Sequence, residues 1–337
     1  MDRRWIAAGG LVLLALVPLL PLGPYPFHLL ILILLWSFIG TAWSLMGKFG
    51  LVSFGHSAFI GSAVYTTAML WNLAHVTPWI GIPAGVGVAL LLAFVIGYPS
   101  FRLHVVGHYF ALLTLALGEV VRLLIIAMRD YTGGSLGMTP NRAADPVDFY
   151  ALQFSDKRYF YYIALGLWAF GLYVWNRVDR SKLRTALEAI SEDEVAAASV
   201  GIHVTSTKMR ITFLSAGLCA LGGIIMVQYQ MYLSPEGANV GTSLQIVFAS
   251  IVGGMYSVLG PTVGAALTQV LAEWLRSFFG TKLLGADAVV FGTMLIVFII
   301  FMPSGIYGTI EAWWKKRRTS ATTGATPGAQ PAQSNAR

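Results

Sequence analysis

Glu119 and Arg122 stand three residues apart inside an apolar run, the spacing at which a carboxylate and a guanidinium on one helix face can pair. Ionisable groups at membrane depth are costly unless paired or wetted. The two are therefore either a polar element of a translocation path or a self-neutralised lock between packed helices. A second constellation, Ser53, His56 and Ser57, lies in Lys48–Gly61, where glycines at 47, 50, 55 and 61 weaken a helix just as an apolar stretch begins. Irregular backbone at that depth needs cover from protein or from a watery cavity. Ser53, His56, Ser57 and Glu119 are accordingly the candidates for a translocation path, with close packing through small residues as the competing reading. His104 and His108 have the i, i+4 spacing of metal ligands, but no carboxylate or third ligand accompanies them, so they read as interfacial or structural. The chain contains no GxxxxGKS/T, no nucleophile elbow and no HExxH. No catalytic site, cofactor or metal is expected, and ATP, if used, is bound by another polypeptide.

A third constellation has a mechanical character. Ser191-Glu192-Asp193-Glu194-Val195-Ala196-Ala197-Ala198-Ser199-Val200-Gly201 reads as a short helix within the charged stretch 177–210. Ser191 and Glu194 have the form of a capping box, and three first-turn carboxylates suit the positive end of the helix dipole. The alanines leave a flat face, and Gly201 supplies a left-handed stop. An alanine surface flanked by charge fits docking into a partner's groove better than mere solubility.

The elements that must carry these residues are membrane spans. The 337 residues are 56% apolar and 11% charged, with mean hydropathy +0.70, a balance no ordinary water-soluble fold shows. A span needs about 20 mostly apolar residues. Ten candidates run near Trp5–Leu22, Phe27–Met46, Val52–Trp71, Ile80–Tyr98, Val105–Met128, Tyr159–Trp175, Met209–Tyr232, Ser243–Tyr256, Leu259–Leu275 and Ala288–Met302. Alternating them from a cytoplasmic N-terminus puts fifteen basic residues inside and six outside, which predicts N-in and C-in. The net charge of +7 is thus a topology signal with attraction to anionic lipid, and no loop offers the basic face that nucleic acid would need. The expected fold is all-α and polytopic, one integral membrane domain over 1–318 with a 177–208 cytoplasmic loop and a disordered tail, 319–337. Trp313-Trp314 before Lys315–Arg318 reads as an interfacial anchor. Cys219 is the single cysteine, so disulfides are excluded. Gly253-Gly254 and Gly260-x3-Gly264 predict tight helix contact, while Ser234-Pro235-Glu236 reads as a short external turn without chemistry. Thr114, Glu119 and Arg122 recur in spacing at Thr268, Glu273 and Arg276, an echo short enough to arise by chance.

Four stretches carry a family likeness: Gly50–Tyr65, Tyr109–Ala116 leading to Thr132–Gly137, Ala186–Ile202 extending through Lys208, and Gly253–Ala266. In this order they resemble the inner-membrane permease subunits of branched-chain amino acid ABC importers, of the LivM type, over nearly all of the chain from about Phe38 to Tyr307. The resemblance implies that Ala186–Ile202 is the loop that couples to an ATPase, with Glu194, Ala197 and Gly201 as matching positions beside Glu192 and Ala198. Family members usually place a basic residue and an asparagine ahead of that glutamate; this chain has Ser191 and Asp193, so its docking surface is more acidic. The implied partners are a homologous LivH-type permease, two ABC ATPase subunits that bind the ATP, and a periplasmic substrate-binding protein, all at a bacterial inner membrane. The implied cargo is a branched-chain or related amino acid, moved by alternating access. Urea, small aromatic acids, or ion-coupled secondary transport through Glu119 remain the alternatives.

Overall fold

The computed structural model describes residues 12–21, 23–143 and 145–279, with residue 10 and short pieces at 289, 292–293, 296–297 and 305–309. The start of the first predicted span, most of the tenth, the Trp313–Arg318 anchor and the 319–337 tail lie outside the described residues.

The predicted runs appear as helices α1 (Pro24–Gly47), α2 (His56–Ala74), α3 (Pro78–Arg102), α4 (His108–Ala127) and α5 (Lys157–Asp179). After a two-helix connection, α6 (Lys182–Glu192) and α7 (Glu194–Ser199), come α8 (Val204–Gln230), α9 (Val240–Gly253) and α10 (Gly260–Phe279). Proline opens α1 and α3 at the first turn, where its missing N–H is no loss. Among the described residues four helices, α1, α3, α4 and α8, are long and apolar enough to cross a membrane. A small hairpin, β1 (Val147–Asp148) with β2 (Gln153–Phe154), marks one end of the bundle; α6 and α7 mark the other.

α1 is the axis. It packs against α5, α8, α9 and α10, and Ile31, Leu35, Phe38, Ile39 and Trp43 are fully enclosed. With no water to drive helices together in lipid, close approach and small polar links hold them. Ser250 Oγ on α9 donates to the Gly40 carbonyl at 3.1 Å, and Trp168 Nε1 on α5 donates to Thr262 Oγ1 on α10 at 2.9 Å. α3 buries a stripe at every fourth position, Gly81, Gly85, Ala89, Ala93 and Gly97, against α2 and α8. The α9–α10 pair is tighter still. A methyl on Gly264 would strike the Ala249 carbonyl, and one on Gly253 would strike that of Gly260, as the glycine spacing predicts.

Two connections depart from the sequence expectation. The eighth predicted span, Ser243–Tyr256, is the 14-residue α9, about 21 Å long and too short to cross. The Ser234–Glu236 turn is also more than a surface feature, since Pro235 is buried while Glu236 stays exposed. Leu233 pairs with Met138 at the hairpin end, and the chain then descends as a 3-10 turn, Pro235–Ala238, packed against α2 and α4. Ala238 comes to rest against Gly61 and Gly118; Gly118 lies nine residues, about 13 Å, from the hairpin end of α4. Glycine at both contacts leaves room for the turn to enter, and Asn239 then caps α9 by accepting from the Thr242 N–H at 2.9 Å. α9 therefore begins at mid-depth.

The α9–α10 seam generates a direct test. Gly264→Leu should lower the melting temperature in detergent by more than about 5 °C, because overpacking against backbone has no soft neighbour to displace. Gly87→Ala on α3, where a methyl meets nothing within 4 Å, should leave it unchanged or slightly raised.

Candidate functional site

The charged connection folds as two helices meeting at Asp193, whose extended backbone (φ −155°, ψ 114°) turns α6 into α7. The capping box expected of Ser191 and Glu194 does not form. Ser191 is still inside α6 and donates to the Glu188 carbonyl at 2.7 Å. Asp193 is the cap, accepting from the Val195 and Ala196 N–H groups at 2.8 and 3.0 Å. The reason lies one helix away. Lys208 near the start of α8 is buried (side chain 3% exposed), and its ammonium needs a carboxylate more than the helix end needs a second cap. Glu194 supplies it, forming a short ion pair with Lys208. Glu192 stays in α6 and points to solvent.

α7 is thus bolted down on one face and bare on the other. Ala197 is buried beneath it, while Ala196 and Ala198 are exposed and Val195 and Val200 stand out at 80% and 76% exposure. Gly201 takes φ +90°, the left-handed stop its position predicts, and its N–H and that of Ile202 close on the Ala198 and Ala197 carbonyls. A groove of about 920 Å³ runs beside α7, with Val195 and Ile202 on one side and Phe94, Arg102 and Phe213 on the other.

The broken stretch before α2 is pinned from four helices. Trp43 Nε1 on α1 donates to the Ser53 carbonyl at 2.8 Å, Ser53 Oγ accepts from the Gly55 N–H, and the Phe54 N–H donates to Thr114 Oγ1 on α4 at 3.0 Å. His56 is fully buried, its Nε2 2.8 Å from Ser215 Oγ on α8. The Ser215 hydroxyl proton is committed to the Ala42 carbonyl at 2.7 Å, which assigns the proton of the His56–Ser215 bond to Nε2 and leaves Nδ1 without a partner. The Ser57 N–H donates to Ser243 Oγ at 3.0 Å, and the two hydroxyls meet at 2.8 Å. Thus Ser53, His56 and Ser57 all lie at helix contacts, on a single seam joining α1, α2, α4, α8 and α9. At its foot, Lys48 is held between Asp179 Oδ1 at 2.6 Å and the Trp175 ring, 3.9 Å from its centre. Burial pushes the Lys48 ammonium below its ordinary pKa, and its hydrogen bond to the Asp179 carboxylate draws it part of the way back.

Glu119 is elsewhere, on the partly open side of α4. Arg122 Nε lies 3.0 and 3.1 Å from the two Glu119 oxygens, and Nη2 makes a further short contact. Arg122 Nη1 approaches Glu236 of the descending turn at 3.7 Å. In the echo of this spacing at 268–276, Thr268 donates to the Gly264 and Ala265 carbonyls of its own helix, whereas Thr114 also holds the break. His104 lies on the α3–α4 turn with φ +55° and His108 opens α4; among the described residues no three His, Cys, Asp or Glu gather to hold a metal. Sequence reasoning missed Lys208, Ser215, Ser243 and Glu236, since a lone small or charged residue carries no spacing signal until the helix it faces is known.

Long apolar helices closed by small-residue seams, with a capped helix presented at one end, define a polytopic membrane permease. The model of the family described as "Branched-chain amino acid transport system / permease component" matches residues 25–299, and the chain belongs to that family. It is 29% identical over 281 residues to the high-affinity branched-chain amino acid transport system permease protein LivM of Escherichia coli, and 28% identical over 281 residues to that of Salmonella typhimurium. Each match covers 77% of this chain, which spans 64% of the length of those relatives. The LivH permease protein of Salmonella typhimurium is 27% identical over 133 residues, 39% of this chain and 41% of that one. No solved structure matches.

The cap assignment is open to measurement. Asp193→Ala should speed hydrogen exchange at the Val195 and Ala196 amides about fivefold, the effect of losing roughly 1 kcal/mol of capping. Ser191→Ala should leave those amides unchanged, which a capping box would not allow.

Proposed function

We propose that this chain is the permease subunit of an ATP-driven ABC importer that moves branched-chain or related amino acids across a bacterial inner membrane. The single observation that carries the coupling role is the ion pair of Glu194 with the buried Lys208 under an otherwise bare α7. A helix tied to a long span by such an ion pair cannot be displaced without moving that span, and its exposed alanine and valine face is free for a partner. In this reading Glu192, Glu194, Ala197, Ala198 and Gly201 form the ATPase-coupling element. Ala198 and the projecting Val195 and Val200 meet the ATPase, Glu192 adds acidic character, and Glu194, Ala197 and Gly201 set the position of the helix. ATP itself is bound by the partner subunits.

Force then travels along α8. Ser215 lies seven residues, two turns, beyond Lys208, on the same face of the helix, and it holds His56. Closure of an ATPase pair would shift α7, carry α8, and exchange the His56–Ser215 and Ser57–Ser243 contacts for an alternative packing. That is alternating access by a switch between two packed states. Ser53, His56 and Ser57 are the path residues uncovered by the switch, and Glu119 lines the side that stays partly open. The family's LivM and LivH members support a second, LivH-type permease as the partner in the membrane, with two ATPase subunits and a periplasmic binding protein completing the machine.

Gentle-detergent purification of tagged protein from its native cell, with and without Gly201→Arg, tests the reading. A methyl at Gly201 meets open space, so the variant changes the helix stop and the docking face while leaving the bundle intact. The wild type should carry an ATPase and a second permease. The variant should retain the permease and lose at least about tenfold of the ATPase, the effect of disrupting one central contact of an interface. A protein that elutes alone and transports without ATP refutes the importer assignment.

A further inference from the structure

Arg122 lies five residues and Glu119 eight residues from the hairpin end of α4, about 7 and 12 Å into the bundle. Their side chains are 23% and 40% exposed, so the pair is not sealed inside. Around them α4 presents Leu112, Val120, Leu123 and Leu124 to the outside. A partly exposed ion pair at this depth is costly against lipid, so the pair faces water or a polar partner. The descending turn adds a third charge. Glu236, 68% exposed, points one carboxylate oxygen toward Arg122 Nη1 at 3.7 Å and accepts from Asn239 Nδ2 on the other at 2.6 Å. The turn thus sets a second carboxylate beside the Glu119–Arg122 pair, one more than a self-neutralised lock needs.

The three groups sum to one net negative charge. A guanidinium has five N–H donors; those of Arg122 that bond within the chain go to Glu119 through Nε and Nη2, while Nη1 reaches Glu236 only beyond hydrogen-bond distance. The station therefore has a cationic donor face and an excess of carboxylate side by side. A free amino acid carries the complementary pair, a carboxylate next to an ammonium.

We propose that Glu119, Arg122 and Glu236 form a half-open station in the half of the bundle nearer its hairpin end that receives the zwitterionic head of an amino acid in transit, with Arg122 Nη1 taking its carboxylate and Glu236 with Glu119 taking its ammonium. The inference rests on the importer reading and adds the place and chemistry of recognition within the membrane chain.

Cysteine labelling tests this on the full chain, in membranes that contain its co-purifying subunits. Cys219 is fully buried, so added cysteines report against a silent background. Glu236→Cys keeps the Glu119–Arg122 pair and is the primary variant; Glu119→Cys is the second. Both should react with a membrane-impermeant charged methanethiosulfonate. Leucine should protect Glu236→Cys, and isoamylamine and 4-methylpentanoate, each lacking one charge, should need at least about tenfold higher concentration for equal protection. Adding Arg122→Gln should abolish protection by leucine. Absence of labelling at both positions, absence of protection by leucine, or equal protection by leucine and its single-charge analogues overturns the station. Co-purification of an ATPase is a separate result: its presence alongside a failed protection assay defeats this inference alone, and its absence defeats the importer reading.

Discussion

A buried ammonium that must find a carboxylate organises the end of this molecule where α7 sits. Lys208 has almost no contact with solvent, and an unpaired charge there would be destabilising by several kcal/mol. Glu194 is therefore drawn beneath α7, the chain must bend at Asp193 to deliver it, and Asp193 takes over the cap. The short helix, its orientation and its bare outer face all follow from that one requirement. The same pair makes α7 and α8 a single mechanical body.

The bundle itself obeys a related constraint. Lipid offers no partner to a polar group, so every interruption in a span has to be satisfied by a neighbouring helix. The break before α2 is answered by Trp43, Thr114, Ser215 and Ser243, drawn from four different helices. Each of these side chains is small or fixed, and each bond crosses between elements, so the break couples the helices it touches. A rearrangement at His56 cannot stay local while Ser215 is also held to α1 through the Ala42 carbonyl.

Small residues do complementary work. The α3 stripe and the α9–α10 glycines let backbones meet with no side chain between them, and Gly61 with Gly118 open the slot into which the Pro235–Ala238 turn descends. That descent explains why α9 is half-length and why Glu236, a residue of a nominal surface turn, stands next to Arg122. Packing and charge placement are thus one design at this point: glycine makes the room, and the turn carries the carboxylate in.

The sequence by itself determined the class of protein, the positions of most helices, the short helix with its stop at Gly201, and the glycine seam near residue 260. These depend on hydrophobic run length, on the spacing of small residues and on local backbone preference, all of which are written in neighbouring positions. Only the tertiary structure decided that Asp193 and not Ser191 caps α7, that the Ser234–Glu236 turn enters the bundle, and that Ser243 and Ser215 close on Ser57 and His56. Those outcomes turn on partners 14 to 186 residues distant in the chain. Lys208 could outcompete a local capping box because the free energy of a buried charge exceeds that of one exposed hydrogen bond, a comparison that exists only once the helices are side by side.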